Sequence, residues 1–111
     1  MNRHTPVLTT WSLLCIAAGA TAAVAGSEHV VGQKNKSFSV SKLEAKVGDV
    51  VLFRNDDGVF HNIFSLTSGL AFDLGAYAPG TSKQVKLDQP GRIDVECAIH
   101  PRMKMVIDVS R

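Results

Sequence analysis

The residues with the most chemistry in this chain lie in one short run near its C-terminal end. Cys97-Ala98-Ile99-His100-Pro101-Arg102-Met103 holds a thiol, an imidazole and a thioether, and His61 adds a second imidazole well upstream. A thiolate, two imidazoles and a weak thioether are the donor set of a trigonal copper site with a long axial bond. Thiolate and thioether suit Cu(I), while imidazole suits both Cu(I) and Cu(II), so a rigid version of this set changes oxidation state with little rearrangement. Each residue has a plainer reading when taken alone. A single Cys often behaves as a small buried hydrophobe, His61 can be a surface histidine beside a turn, and His100-Pro101 can be a turn. Their joint spacing favours ligation. Zinc is the nearest rival metal, but Met is a poor zinc ligand, and a structural zinc takes four Cys, His or carboxylate donors.

Whole-chain properties narrow the setting. The 111 residues suit one domain, and a net charge of only +2 gives no argument for nucleic acid or an anionic membrane surface. Hydrophobic residues reach 45%, with the excess near the N-terminus. There, Arg3 and His4 precede an apolar stretch through Trp11, Leu13, Leu14, Cys15, Ile16 and Ala17, ending in Ala23-Val24-Ala25. This is the pattern of a secretory signal over residues 1–25, with a domain over 26–111. An uncleaved anchor is the alternative, although Ala-rich segments with Thr and Ser insert weakly. Cys15 follows Leu14, not the small residue that a lipidation box needs, and no twin arginine is present. Cleavage would leave Cys97 as the one cysteine of an exported protein, where a bare thiol is prone to oxidation and no internal disulfide can protect it.

The elements that must position the donors read as strands. Phe38-Ser39-Val40 and Leu43 to Val47 alternate, Gly48-Asp49 turns, and Val50 to Phe53 is a short apolar run suited to a buried strand. Asn55-Asp56-Asp57-Gly58 is dense in turn formers and precedes a strand at His61 to Phe64. Residues 66–80 read as a longer loop. Thr81 to Leu87 alternates, Asp88 to Gly91 turns, and Arg92 to Glu96 alternates up to Cys97. Met105, Ile107 and Val109 share one face of a last strand. Short strands with regular turn signals and no helical period predict an all-β sandwich or barrel.

Asn55-Asp56-Asp57 followed by His61-Asn62, and then the Cys-x-x-His-Pro-x-Met loop from Cys97 to Met103, resemble the cupredoxins, and amicyanin and small plastocyanin-like or methylamine-utilisation proteins most. Phe72 to Tyr77 with Pro79-Gly80 is similar to the same plastocyanin-like group. The resemblance spans roughly residues 30 to 110 and implies a Greek-key β-sandwich of about seven to eight strands. It implies one type 1 copper held by His61, Cys97, His100 and Met103, and one-electron transfer between exported redox partners. Met105 competes for the axial role. Counting from Met103 puts Ile107 and Val109 at the offsets where amicyanin has valines, which makes Met105 a core residue. Many cupredoxins clamp the two ligand loops through an Asn–Ser or Asn–Thr bond; Asn62 is present, but Ala98 lacks the hydroxyl. By the same resemblance His100 is the ligand whose edge reaches the surface.

The expectation is therefore a periplasmic, monomeric electron carrier, with no stable membrane association once the signal is removed. A copper carrier or store is the alternative, against which stands the absence of Cys-x-x-Cys or Met-rich segments. An enzyme is not expected: residues 26–111 hold three histidines, too few for a second catalytic copper, and no nucleophile–base pair. Arg102 and Lys104 beside the loop hint at an acidic partner. His29 reads as a solvent-exposed histidine.

Overall fold

The computed structural model describes residues 26–111. The segment read as a secretory signal, residues 1–25, lies outside the described residues. The described chain forms nine strands in two sheets: β1 (Glu28–Lys34), β2 (Ser37–Phe38), β3 (Lys42–Lys46), β4 (Val50–Asn55), β5 (His61–Ser65), β6 (Phe72–Tyr77), β7 (Ser82–Lys86), β8 (Gly91–Glu96) and β9 (Lys104–Ser110). One sheet has the order β2-β1-β4-β7 and the other β3-β9-β8-β5-β6. The pairs β1–β4 and β3–β9 are parallel, and the rest are antiparallel. The expected all-β sandwich is what forms.

Period-two patterning sets the inner faces. Val51, Phe53 and Asn55 of β4, Ile93 and Val95 of β8, and Met105, Ile107 and Val109 of β9 all point inward and are buried, while their neighbours face out. Together with Val31, Ala45, Ile63, Tyr77 and Leu87, all of these but the polar Asn55 form one core between the sheets. Phe38 closes it, packed edge-on against Phe53 with ring centroids 6.3 Å apart. Met105 belongs to this core, as its offset from Met103 implied.

Two strands escape the sequence pattern. Glu28 to Lys34 forms β1, although Gly32 interrupts its alternation. Residues 72–77, expected within a loop, form β6 on the outer edge of the five-stranded sheet. Gly75 sits there at φ +74°, in the left-handed region, and the register against β5 shifts between Asn62 and Phe64. The extra residue makes a bulge, and Asp73 Oδ1 supports it by accepting the Gly75 N–H at 2.8 Å. A bulged edge strand carries no clean alternation, which is why its pattern reads as loop.

Asp49 ties the end of the sandwich opposite to His61. Its carboxylate accepts hydrogen bonds from Ser27 N–H (2.9 Å), His29 Nε2 (2.8 Å) and Lys46 N–H (3.0 Å). His29 is thus a partly buried partner of Asp49 rather than a free surface histidine. The His29 bond, helped by the Lys46 and Ser27 amides, outweighs burial and holds the Asp49 carboxyl below its ordinary value of 3.8. A carboxylate with a depressed folded pKa contributes stability above its unfolded value, and that stability is lost as pH falls through the folded one. The melting temperature of the native chain is therefore expected to fall on acidification below about pH 4. Asp49→Asn should melt lower at neutral pH and show a flatter profile between pH 4 and 2, measured by circular dichroism. A variant profile parallel to the native one would exclude this role for Asp49.

Candidate metal centre

His61 opens β5 and Cys97 follows directly on β8. These strands are antiparallel neighbours, with Phe64 opposite Glu96, so the start of one meets the end of the other. The turn from Cys97 to Met103 then leads back into β9. It is closed by Met103 N–H to the His100 carbonyl (2.9 Å) and by Cys97 N–H to the Met103 carbonyl (3.3 Å). Local turn geometry and one strand pair thus bring residues from distant parts of the chain to one end of the sandwich.

Donor atoms of His61, Cys97 and His100 all lie within 4.8 Å of one another. Cys97 Sγ is 3.9 Å from His61 Nδ1 and 3.9 Å from His100 Nδ1. Metal bonds of about 2.3 Å to sulfur and about 2.0 Å to nitrogen, opened to about 120°, put sulfur and nitrogen about 3.7 Å apart. The donors therefore fit a single trigonal ion. Cys97 and His61 are buried, while His100 is only partly so. The two imidazoles meet edge-on with centroids 4.9 Å apart. Met103, the expected fourth donor, is 1% exposed at the end of the same turn.

The surroundings aim these donors. His61 Nε2 donates to Asp57 Oδ2 at 2.7 Å, while the other ring nitrogen, Nδ1, faces Cys97 Sγ at 3.9 Å. Burial opposes ionisation of Asp57 most strongly. The Lys36 amide, the His61 ring and the Asn35 amide together overcome it and keep the carboxyl below its ordinary value. The His100 imidazole is held below its ordinary value of 6.5, by desolvation first and then by the nearby His61 and Lys36, with Asp57 opposing. A neutral ring at neutral pH is the form that binds a metal. Cys97 Sγ accepts the Asn62 N–H at 3.3 Å. The missing hydroxyl at Ala98 is replaced by its own backbone: Ala98 N–H points to Asn62 Oδ1 at 3.5 Å, a long contact. Asn62 Nδ2 is in turn turned toward Asp73 Oδ1 at 3.3 Å.

Sequence reasoning nominated His61, Cys97 and His100, which the fold brings together, and missed Asp57 as the partner of His61, having read it as a turn former. Its position four residues before a candidate ligand was the available signal. Lys104, beside the loop, pairs with Glu96 at 3.2 Å, whereas Arg102 is exposed and has no ion pair among the described residues. Val59, Phe60 and Ile99 stand 40%, 56% and 46% exposed next to the ligand positions. An open groove of about 570 Å³ lies elsewhere, over β8 and β9, and none of the four expected ligands lines it.

No protein-family model matches the chain. The methylamine utilization protein MauL of Methylorubrum extorquens is 36% identical over 69 residues, which cover 61% of this chain and 60% of MauL. The chain thus spans less than two thirds of that relative. A reduced amicyanin variant superposes with a TM-score of 0.70 at 25% identity, over 80% of this chain and 88% of amicyanin. The copper-containing nitrite reductase of Thermus scotoductus gives 0.71 at 25% identity, over 76% of this chain but only 22% of the enzyme.

Proposed function

We propose that this chain is a cupredoxin similar to amicyanin and an exported carrier of single electrons, working through one type 1 copper held by His61, Cys97, His100 and Met103. The observation that carries this reading is the convergence of the two Nδ1 atoms on Cys97 Sγ at 3.9 Å, with Met103 buried behind the same turn. Copper supplies the Cu(II)/Cu(I) couple, and the protein supplies a geometry tolerable to both states.

The chain's own residues do the rest. Asp57 orients the His61 ring, the Asn62 N–H stabilises charge on the Cys97 sulfur, and the buried wall keeps water from the donors. His100, partly exposed between Ile99 and Pro101, is the way out for the electron. A small apolar contact of this kind suits redox partners that must dissociate quickly. The unpaired Arg102 adds a preference for an acidic partner. The reading includes a periplasmic monomer released by removal of residues 1–25, and no enzymatic turnover. The likeness to nitrite reductase spans a fraction of that enzyme, and residues 26–111 supply histidines for one site only.

A copper store is the competing reading, and voltammetry separates the two. The copper-loaded protein should give a reversible one-electron wave. Met103→Leu should stay coloured and shift the potential upward by at least ~60 mV, a tenfold change in the one-electron equilibrium, because loss of the thioether disfavours Cu(II). Met105→Leu should leave it in place. No reversible wave, with copper passing to a chelator within seconds, would favour storage and end the carrier reading.

A further inference from the structure

Asp57 does more than aim His61. The Oδ2 atom that accepts the His61 Nε2–H at 2.7 Å also accepts the Lys36 N–H at 2.9 Å, and Oδ1 accepts the Asn35 N–H at 2.7 Å. Asn35 and Lys36 are the two-residue tip between β1 and β2. They hold φ of +54° and +52°, the only left-handed residues other than glycine among those described. Two such residues in succession fit the tight turn that matches strand twist in a hairpin. Lysine is a poor choice for that turn, because its Cβ crowds the backbone there. The conformation persists because both freed amides land on one carboxylate.

The same hairpin reaches the loop between β4 and β5 at a second point, where the Gln33 carbonyl accepts the Asp56 N–H at 2.9 Å, and it also reaches β6. Gln33, two residues before the tip and fully buried, accepts the Tyr77 hydroxyl. Tyr77 pairs with His61 across β5 and β6. Asn55 completes the frame. Its Nδ2 donates to the Val59 carbonyl (2.8 Å) and the Tyr77 carbonyl (3.2 Å), and its Oδ1 accepts the Asp57 N–H (3.0 Å).

We infer that the Asn35–Lys36 hairpin tip is a positioning element for His61, acting through Asp57. A carboxylate with one donor can rotate about its terminal bond, whereas one held by three donors on both oxygens cannot. The plane of the His61 ring is thereby set by a turn that touches no ligand itself. The benefit to electron transfer rests on the copper reading above; the mechanical link does not.

The test uses metal-free protein and hydrogen exchange followed by nuclear magnetic resonance at four sites: the Asn35 and Lys36 amides, the His61 Nε2–H, and the Leu87 amide. The last bonds to the Asp49 carbonyl at the far end and reports general loosening. In Asp57→Asn the amide group presents N–H to at least one of the three donors. The Asn35, Lys36 and His61 protons should then exchange together, at least ten-fold faster, with Leu87 unchanged. In Lys36→Gly both tip amides remain and the crowding is relieved, so the same three protons should slow in concert, by about three-fold. Tip amides that respond while the His61 proton does not, a His61 proton that responds alone, or an equal change at Leu87 would each overturn the inference. Absence of colour on copper loading would instead end the carrier reading and leave these exchange rates as they are.

Discussion

Replacing Cys97 with serine should abolish the intense visible absorption of the copper-loaded protein. That colour requires a thiolate bonded to Cu(II), and Cys97 supplies the one sulfur of that type among residues 26–111. The substitution is nearly isosteric, so the buried site should not collapse. A serine hydroxyl is far harder to deprotonate than a thiol and is a much poorer match for Cu(I), so both ends of the redox couple lose their strongest bond. The Asn62 N–H, now 3.3 Å from Sγ, would face a shorter and uncharged acceptor. The expected result is a colourless protein that retains its circular dichroism spectrum, with Cu(II) bound weakly through His61 and His100. The measurement is a visible titration with Cu(II) of native and variant protein side by side, followed by bleaching with a reductant. An equally intense band in the variant would show that Cys97 is not the ligand. A native protein that stays colourless would end the type 1 copper reading altogether.

The second large effect belongs to the core. Phe53→Ala should destabilise the fold by about 3–5 kcal/mol, the range for removing a large buried aromatic. Phe53 is 0% exposed on β4, between the sheets, and Phe38 packs its ring edge-on. Whole domains are stable by only about 5–15 kcal/mol, and a domain as short as residues 26–111 sits toward the low end. The loss should lower the melting temperature by ~15–30 °C. Val30→Ala, on the outer face of the neighbouring strand and about half exposed, should change stability by less than about 0.5 kcal/mol. Urea unfolding of both variants, metal-free, checks the contrast. On the copper reading, loading should stabilise native and Phe53→Ala protein alike, by about 2.7 kcal/mol at a hundred-fold excess over the dissociation constant, and leave the difference between them in place. Similar small losses in both variants would mean that the two sheets do not depend on Phe53 for their contact.

Both predictions act on features legible in the linear chain. Cys97, His100 and Met103 lie close enough in sequence that one tight turn must bring them together, so residue type and spacing suffice to nominate them. The inward faces of β4, β8 and β9 are equally readable, because burial on one side of a sheet imposes a period of two. Met105 falls into the core by that same period. What weakened the reading elsewhere was irregular backbone. Gly32 breaks the alternation of β1, and the bulge at Gly75 breaks that of β6.

The arrangement around the donors was decided by tertiary structure. Nothing local to His61 says that it meets Cys97. That follows from β5 and β8 being neighbours, a pairing set by how the two sheets share the core. The backbone contact from Ala98 to Asn62 in place of a hydroxyl likewise exists only once the loops have docked. The role of Asp57 is the clearest case. As sequence it is one more turn former, and its carboxylate becomes a positioning group only because β1 runs parallel to β4 and carries the Asn35–Lys36 tip up to it. Residue types and short spacing determined which donor atoms of this protein are candidates and which faces are buried, because those are local properties. Long-range strand pairing decided how the binding atoms are aimed, because orientation depends on hydrogen bonds between residues that the linear order keeps apart.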